Sequence, residues 1–195
     1  MKMFSIFIIA YLLLLAFGNA ARYEFIFDNE EIFESCPGIP GNNGVHDLFD
    51  LSDMIFELSE GRLEVSGNST SVWEGVEPTD RIQGRGDLYK FQRGAWQVTP
   101  LTFAVNDFCS VQYSNSSAWY QMWTKRIAPE DRKCINVYGH VYHYMHLPVD
   151  TVFEYPVNIE GRHKLVVNLR AFDESNKERP KIICTQIVGE VIKVK

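Results

Sequence analysis

Along most of the chain the hydrophobic positions alternate with polar ones, and a period of two is the signature of strands that bury one face. Tyr23, Phe25 and Phe27 alternate with Glu24 and Ile26, and the acidic run from Asp28 to Glu31 then reads as a turn. Leu51 to Leu58 and Leu63 to Val72 predict a hairpin that reverses at Glu60-Gly61, with Leu63 and Val65 facing one way and Glu64 and Ser66 the other. Val72, Trp73 and Val76 lead into Pro78, which ends that strand or kinks it at an edge. Arg81 to Phe91 and Ala95 to Val105 predict a second hairpin around Arg93-Gly94, carrying Leu88, Trp96, Val98, Leu101 and Phe103. Val137 to Leu147 and Val152 to Tyr155 are strand-like. Gly161-Arg162 reads as a turn, and His163 to Phe172 pairs with Lys181 to Val194 in a last long hairpin whose loop is Asp173 to Pro180. Cys36 to Gly44 holds Pro37, Gly38, Pro40 and Gly41 and reads as loop.

One segment breaks the alternation. Tyr113, Tyr120, Trp123 and Ile127 recur at near-helical spacing, Trp119 flanks the same stripe, and Pro129 closes the pattern. This predicts one short amphipathic helix, or a helical loop, between Cys109 and Cys134. About eight antiparallel strands with one helical interruption describe a mainly β fold, a sandwich or an incompletely closed β-cup. No helix alternates with the strands, which excludes a parallel sheet built from βαβ crossovers. No internal repeat, low-complexity stretch or linker divides the chain.

The first twenty residues change the setting of that fold. Met1 to Ala20 has the anatomy of a secretory signal: Lys2, an apolar run from Phe4 to Phe17, then the small residues of Gly18-Asn19-Ala20. The run is short for a membrane span, so residues 21 to 195 are expected as one β domain outside the cell. All four cysteines, Cys36, Cys109, Cys134 and Cys184, fall in that part, and an even count in a secreted chain implies disulfides. Three pairings are possible. The nested one, Cys36 with Cys184 and Cys109 with Cys134, is favoured because the outer pair brackets nearly all the strands and the inner pair brackets the aromatic segment. No C-x-x-C pair occurs, which argues against zinc. A net charge of -6 argues against nucleic acid as a partner, and Lys125-Arg126 and Arg132-Lys133 are short pairs of the kind found on solvated faces.

Candidate chemistry is sparse. In a strand His140 and His146 share a face while His143 points away, so the three do not converge on a metal. No Gly-x-Ser-x-Gly elbow is present, and Gly84-Arg85-Gly86 lacks the third glycine and the helix of a nucleotide loop. Arg85-Gly86-Asp87 lies inside a predicted strand rather than on a loop tip. The acidic clusters at turns read as solubilising residues. No cofactor and no enzymatic activity are expected. Asn68-Ser69-Thr70 and Asn115-Ser116-Ser117 are glycan acceptors, which marks Asn68 and Asn115 as solvent-facing.

What stands out is apolar: 13 Phe, 9 Tyr and 4 Trp, with Trp119, Tyr120, Met122 and Trp123 packed into one short stretch. Those four are the candidate rim of a site for a hydrophobic ligand, and the alternative is that they plug one end of a β core.

The words Tyr23-Glu24-Phe25-Ile26-Phe27-Asp28-Asn29-Glu30-Glu31, Val65-Ser66-Gly67-Asn68, Val72-Trp73, Pro78-Thr79-Asp80-Arg81, Asp107-Phe108-Cys109, Trp119-Tyr120, Trp123-Thr124-Lys125 and Ile183-Cys184 together resemble the insect CheB family. That family comprises secreted proteins of chemosensory tissue, distantly similar to the GM2-activator protein and its β-cup lipid-recognition relatives. The resemblance covers essentially all of residues 21 to 195. It implies a β-cup with an apolar interior and a mobile mouth, binding lipids or cuticular hydrocarbons in gustatory or pheromone perception, with a sensory receptor, a channel or a membrane surface as further partners. An extracellular interaction module that modulates a receptor or channel without binding lipid is the alternative. The activator's first and last cysteines are joined, which here implies Cys36 with Cys184. It has more cysteines than this chain, so its mouth loops and glycolipid specificity do not carry over.

Overall fold

The computed structural model describes residues 20–37, 42–60, 62–149 and 151–195; the expected signal segment, apart from Ala20, lies outside them. Among the described residues the chain is mainly β. The strands are β1 (Ala21–Phe27), β2 (Glu34–Ser35), β3 (Asn42–Asn43), β4 (Phe49–Asp50), β5 (Met54–Ser59), β6 (Arg62–Ser71), β7 (Arg81–Gln92), β8 (Ala95–Val105), β9 (Val141–Pro148), β10 (Val152–Tyr155), β11 (Gly161–Phe172) and β12 (Ile182–Val194). A large sheet runs β10-β1-β12-β11-β7-β8, and β2 and β3 pair with the start of β12. A small sheet is centred on β6, which pairs with β5, β4 and β9. All of these pairings are antiparallel except the two-residue match of β3 with β12.

The predicted hairpins form because the alternation and the turn chemistry agree. Glu60 and Arg93 take positive φ at the two reversals, and Gly94 follows Arg93 at φ 78, a conformation glycine adopts without strain. Leu63 and Val65 are fully buried on the inner face of β6, as their alternation with Glu64 and Ser66 requires. That inner face packs with Tyr142 and Tyr144 of β9 against Phe27 of the large sheet. Strand β9 starts at Val141 rather than Val137, because Gly139 at φ 75 turns the chain first.

The two cysteine bridges are Cys36–Cys184 and Cys109–Cys134, the nested pairing. Between the inner pair, of the two readings the spacing left open, the structure holds the helical loop rather than one continuous helix. It holds two single-turn helices, α1 (Phe108–Val111) and α2 (Ala118–Met122), followed by 3-10 turns at Thr124–Arg126 and Pro129–Asp131. Asp107 caps α1 by accepting from the Ser110 N–H at 3.2 Å, and the Ser114 to Ser117 stretch then turns the chain. The aromatic spacing mimicked a helix, but its members are drawn to different partners. Tyr113 donates its hydroxyl to the Lys133 carbonyl at 2.8 Å, Trp119 meets the large sheet and Trp123 meets the small one. The segment is therefore a strap between the two sheets. Its far end is pinned to β9 by Ile127 opposite Tyr144, by the Ala128 N–H on the His143 carbonyl, and by the buried Arg126 guanidinium on the carbonyls of Met122 and Pro148.

Burial along the concave face of the large sheet is uneven, and this positions the site. Ile82, Val167, Leu169, Ala171 and Ile183 are buried at one end, where Leu48, Trp73, Phe108 and Ile135 fill the space between the layers. One step along the strands, Leu165 sits in register with Leu88 of β7 and Ile187 of β12. These three inward-facing side chains are only half-buried. The small sheet is too narrow to cover the β7–β8 wing.

Candidate functional site

Strand β8 carries Thr99-Pro100-Leu101 opposite Leu88 of β7, where the ladder shifts register between Asp87 and Tyr89. Proline has no N–H to donate, so it is tolerated here on an edge strand and at a bulge. Thr99 replaces the lost ladder bonds: its hydroxyl donates to the Leu88 carbonyl at 2.7 Å and accepts from the Leu101 N–H at 3.2 Å. The strand bends at this point. The bend and the uncovered row together leave an open groove of about 350 Å3 lined by Leu88, Pro100, Leu101, Thr102, Phe103 and Leu165. No ionisable side chain lines it, and the Thr102 hydroxyl is occupied on the opposite face, donating to Asp87 at 2.8 Å.

Phe103 forms a wall of the groove because its partner across the ladder is Gly86. A Cβ at Gly86 would stand 2.0 Å from the Phe103 ring, so only glycine lets that ring lie against the β7 backbone. The other side of Phe103 meets Trp119 edge-on at 5.4 Å, and Trp119 also packs edge-on against Phe108 at 5.4 Å. Of the expected rim residues, Trp119 is the one in contact with a groove wall. Tyr120 lies under the Arg132 guanidinium at 5.5 Å, Met122 is exposed, and Trp123 packs against Phe33 and Tyr144 with its indole N–H donating to the Tyr144 hydroxyl at 3.3 Å. The four therefore do not gather at one place. Sequence reasoning missed Pro100, Thr102 and Leu165 as site residues; the signal available was a Thr-Pro pair in the middle of an otherwise regular strand.

The histidines arrange themselves differently from the expectation. His140 precedes β9 and its Nε2 meets the Asp131 carbonyl at 2.7 Å, while His143 Nδ1 meets the Asp131 carboxylate at 2.6 Å. Both thus converge on Asp131, and His143 does not face away. The turn at Gly139 swings His140 round. His146 instead pairs with Glu64 at 3.2 Å, and no group of three or more metal-capable side chains occurs among the described residues. Arg85 and Asp87 bond each other bidentately at 2.8 Å within β7, with Gly86 buried between them, so the tripeptide is not presented for adhesion. Asn68 is half-buried on β6, and Asn115 is exposed in the turn before α2.

A second hollow of about 290 Å3 is polar, lined by Thr79, Asp80, Asp173, Glu174, Ser175 and Arg179. Two of its charges, Asp80 and Arg179, are committed to each other. Asp80, with 1% of its side chain exposed, receives two bonds from Arg179 at 2.8 Å and one from the Glu77 N–H at 2.8 Å. Burial pushes the Asp80 carboxyl upward, but the Arg179 and Glu77 hydrogen bonds outweigh it and hold the group below the ordinary carboxylate range. A depressed carboxyl stabilises the fold fully above its unfolded pKa and loses that contribution as pH falls through the folded value. Asp80→Asn is expected to cost about 3 kcal/mol near neutral pH and to flatten the loss of stability below about pH 4. Urea unfolding across that range checks it; an unchanged acid limb would refute the assignment.

No protein-family model matches the chain, and no curated protein matches it either.

Proposed function

We propose that this chain is a secreted, non-enzymatic binding protein for hydrophobic small molecules, acting in chemosensory perception as its resemblance to the CheB family implies. The observation that carries the reading is the half-buried row Leu88, Leu165 and Ile187 running into a groove free of ionisable groups. Its volume of about 350 Å3 falls at the lower end of the range for small-molecule sites. Apolar walls grip acyl or hydrocarbon chains without directed bonds, at about 0.8 kcal/mol per buried methylene. Two disulfides, and the lack of any membrane-spanning helix among the described residues, suit an extracellular carrier.

Native mass spectrometry of the protein taken from eukaryotic secretion tests this. The expected result is a lipid or hydrocarbon adduct near one per chain that solvent extraction releases. An apo mass that stays unchanged after incubation with fatty acids and long-chain hydrocarbons would overturn the reading in favour of a protein-interaction module.

A further inference from the structure

On the convex side of the large sheet, directly behind the groove, lies a surface that the ligand reading leaves unused. Lys164 follows from the alternation of β11, being adjacent to the inward Leu165, and it pairs with Tyr89, which pairs with Val98. Phe91 opposite Trp96 continues the same face toward the hairpin turn. Phe91 is 42% exposed and Val98 67%, and Phe91 meets Trp96 edge-on at 5.2 Å. The Lys164 ammonium stands over the rings of Tyr89 at 5.4 Å and Trp96 at 5.0 Å.

Charge says what this face meets. The whole chain carries -6, yet from Leu88 to Val105 it contains Lys90 and Arg93 and no carboxylate. Lys90 pairs with the inward His163 and so lies on the other face, which leaves Arg93 at the turn and Lys164 as the cations here. Two cations beside an exposed aromatic and aliphatic patch are the combination that suits an interface between apolar chains and anionic headgroups. A second copy of the chain is a poor occupant, because a two-fold contact would set the same cations against each other.

We propose that the β7–β8 hairpin docks this protein on a bilayer surface carrying anionic lipid, with Phe91, Trp96 and Val98 entering the headgroup boundary and Arg93 and Lys164 meeting the headgroups. Docking there sets the open edge of the groove beside the lipid, so the surface extends the ligand-binding reading of that groove without depending on it.

The test is flotation of the full secreted chain with vesicles of phosphatidylcholine plus phosphatidylserine, against phosphatidylcholine alone, at low and high salt. Flotation with the anionic vesicles that salt weakens is the expected result. Replacing both Phe91→Ser and Val98→Ser should weaken partitioning by about ten-fold or more, and Lys164→Gln by about five-fold, with melting temperatures close to the parent's because these side chains are exposed or at the surface. The proposal fails if the parent chain does not float with anionic vesicles, or if both variants float as it does. A dimer in sedimentation that the serine variant abolishes, without any flotation, would assign the face to a second copy instead. The serine variant should still take up a hydrophobic probe in solution, so loss of vesicle binding alone leaves the groove reading standing.

Discussion

Replacing both Cys36 and Cys184 by alanine is expected to lower the stability of the fold by about 5 kcal/mol, a third or more of what a domain of this kind possesses. The bridge spans 148 residues, so on the loop-entropy account it restricts the unfolded chain far more than the Cys109–Cys134 bridge, which spans 25 and is worth about 3.5 kcal/mol. Native contacts point the same way. Strands β2 and β3, on either side of Cys36, each hold β12 through a two-residue pairing, helped by the Gln186 amide on Glu34 at 2.8 Å. Without the bridge those pairings are too short to fix the crossing from β1 to the small sheet. Cys184 is 1% exposed, so its replacement also removes a buried, packed sulfur. Equilibrium unfolding in urea of the two double variants measures the difference. An equal or larger loss for Cys109→Ala with Cys134→Ala would refute the ranking.

How much of this was readable in the sequence differs by feature, for physical reasons. The long hairpins were legible because each strand buries one face and each reversal carries residues that accept positive φ, as at Glu60, Arg93 and Gly94. The two-residue strands β2, β3 and β4 were not, since a period cannot be read from two positions. The strap was half legible: its aromatics and its cysteine brackets announced a distinct element, but their spacing could not tell one helix from a chain whose rings are shared between two sheets. The histidine pair on Asp131 depended on a single turn at Gly139. The groove was the least legible feature. Leu88, Leu165 and Ile187 alternate like any core residues, and their partial exposure follows from the width of the sheet opposite, which no local pattern records.

That same dependence makes Leu165→Asp the decisive change for the proposed ligand site. Leu165 is the middle of the row, with Leu88 on one side and Ile187 on the other. Half-buried in a groove open to solvent, an aspartate there keeps enough water to leave the fold standing; once a hydrocarbon fills the groove, that water is expelled from a carboxylate with no partner among the groove's walls. Desolvating the charge costs several kcal/mol, more than the few methylene contacts that Leu165 itself supplies, and the net effect is a loss of affinity of about a hundred-fold or more. Titration with the fluorescent probe N-phenyl-1-naphthylamine reads this directly, and Ile55→Asp, at a position 54% exposed on the outer face of the small sheet, is the matched control that should bind like the parent. Leu101→Trp, which sets an indole into the groove from the edge strand, gives a second route to the same loss if the aspartate variant proves unstable. Undiminished binding in a folded Leu165→Asp or Leu101→Trp variant would remove the groove as the binding site and return the strap, through Trp119, as the place to look.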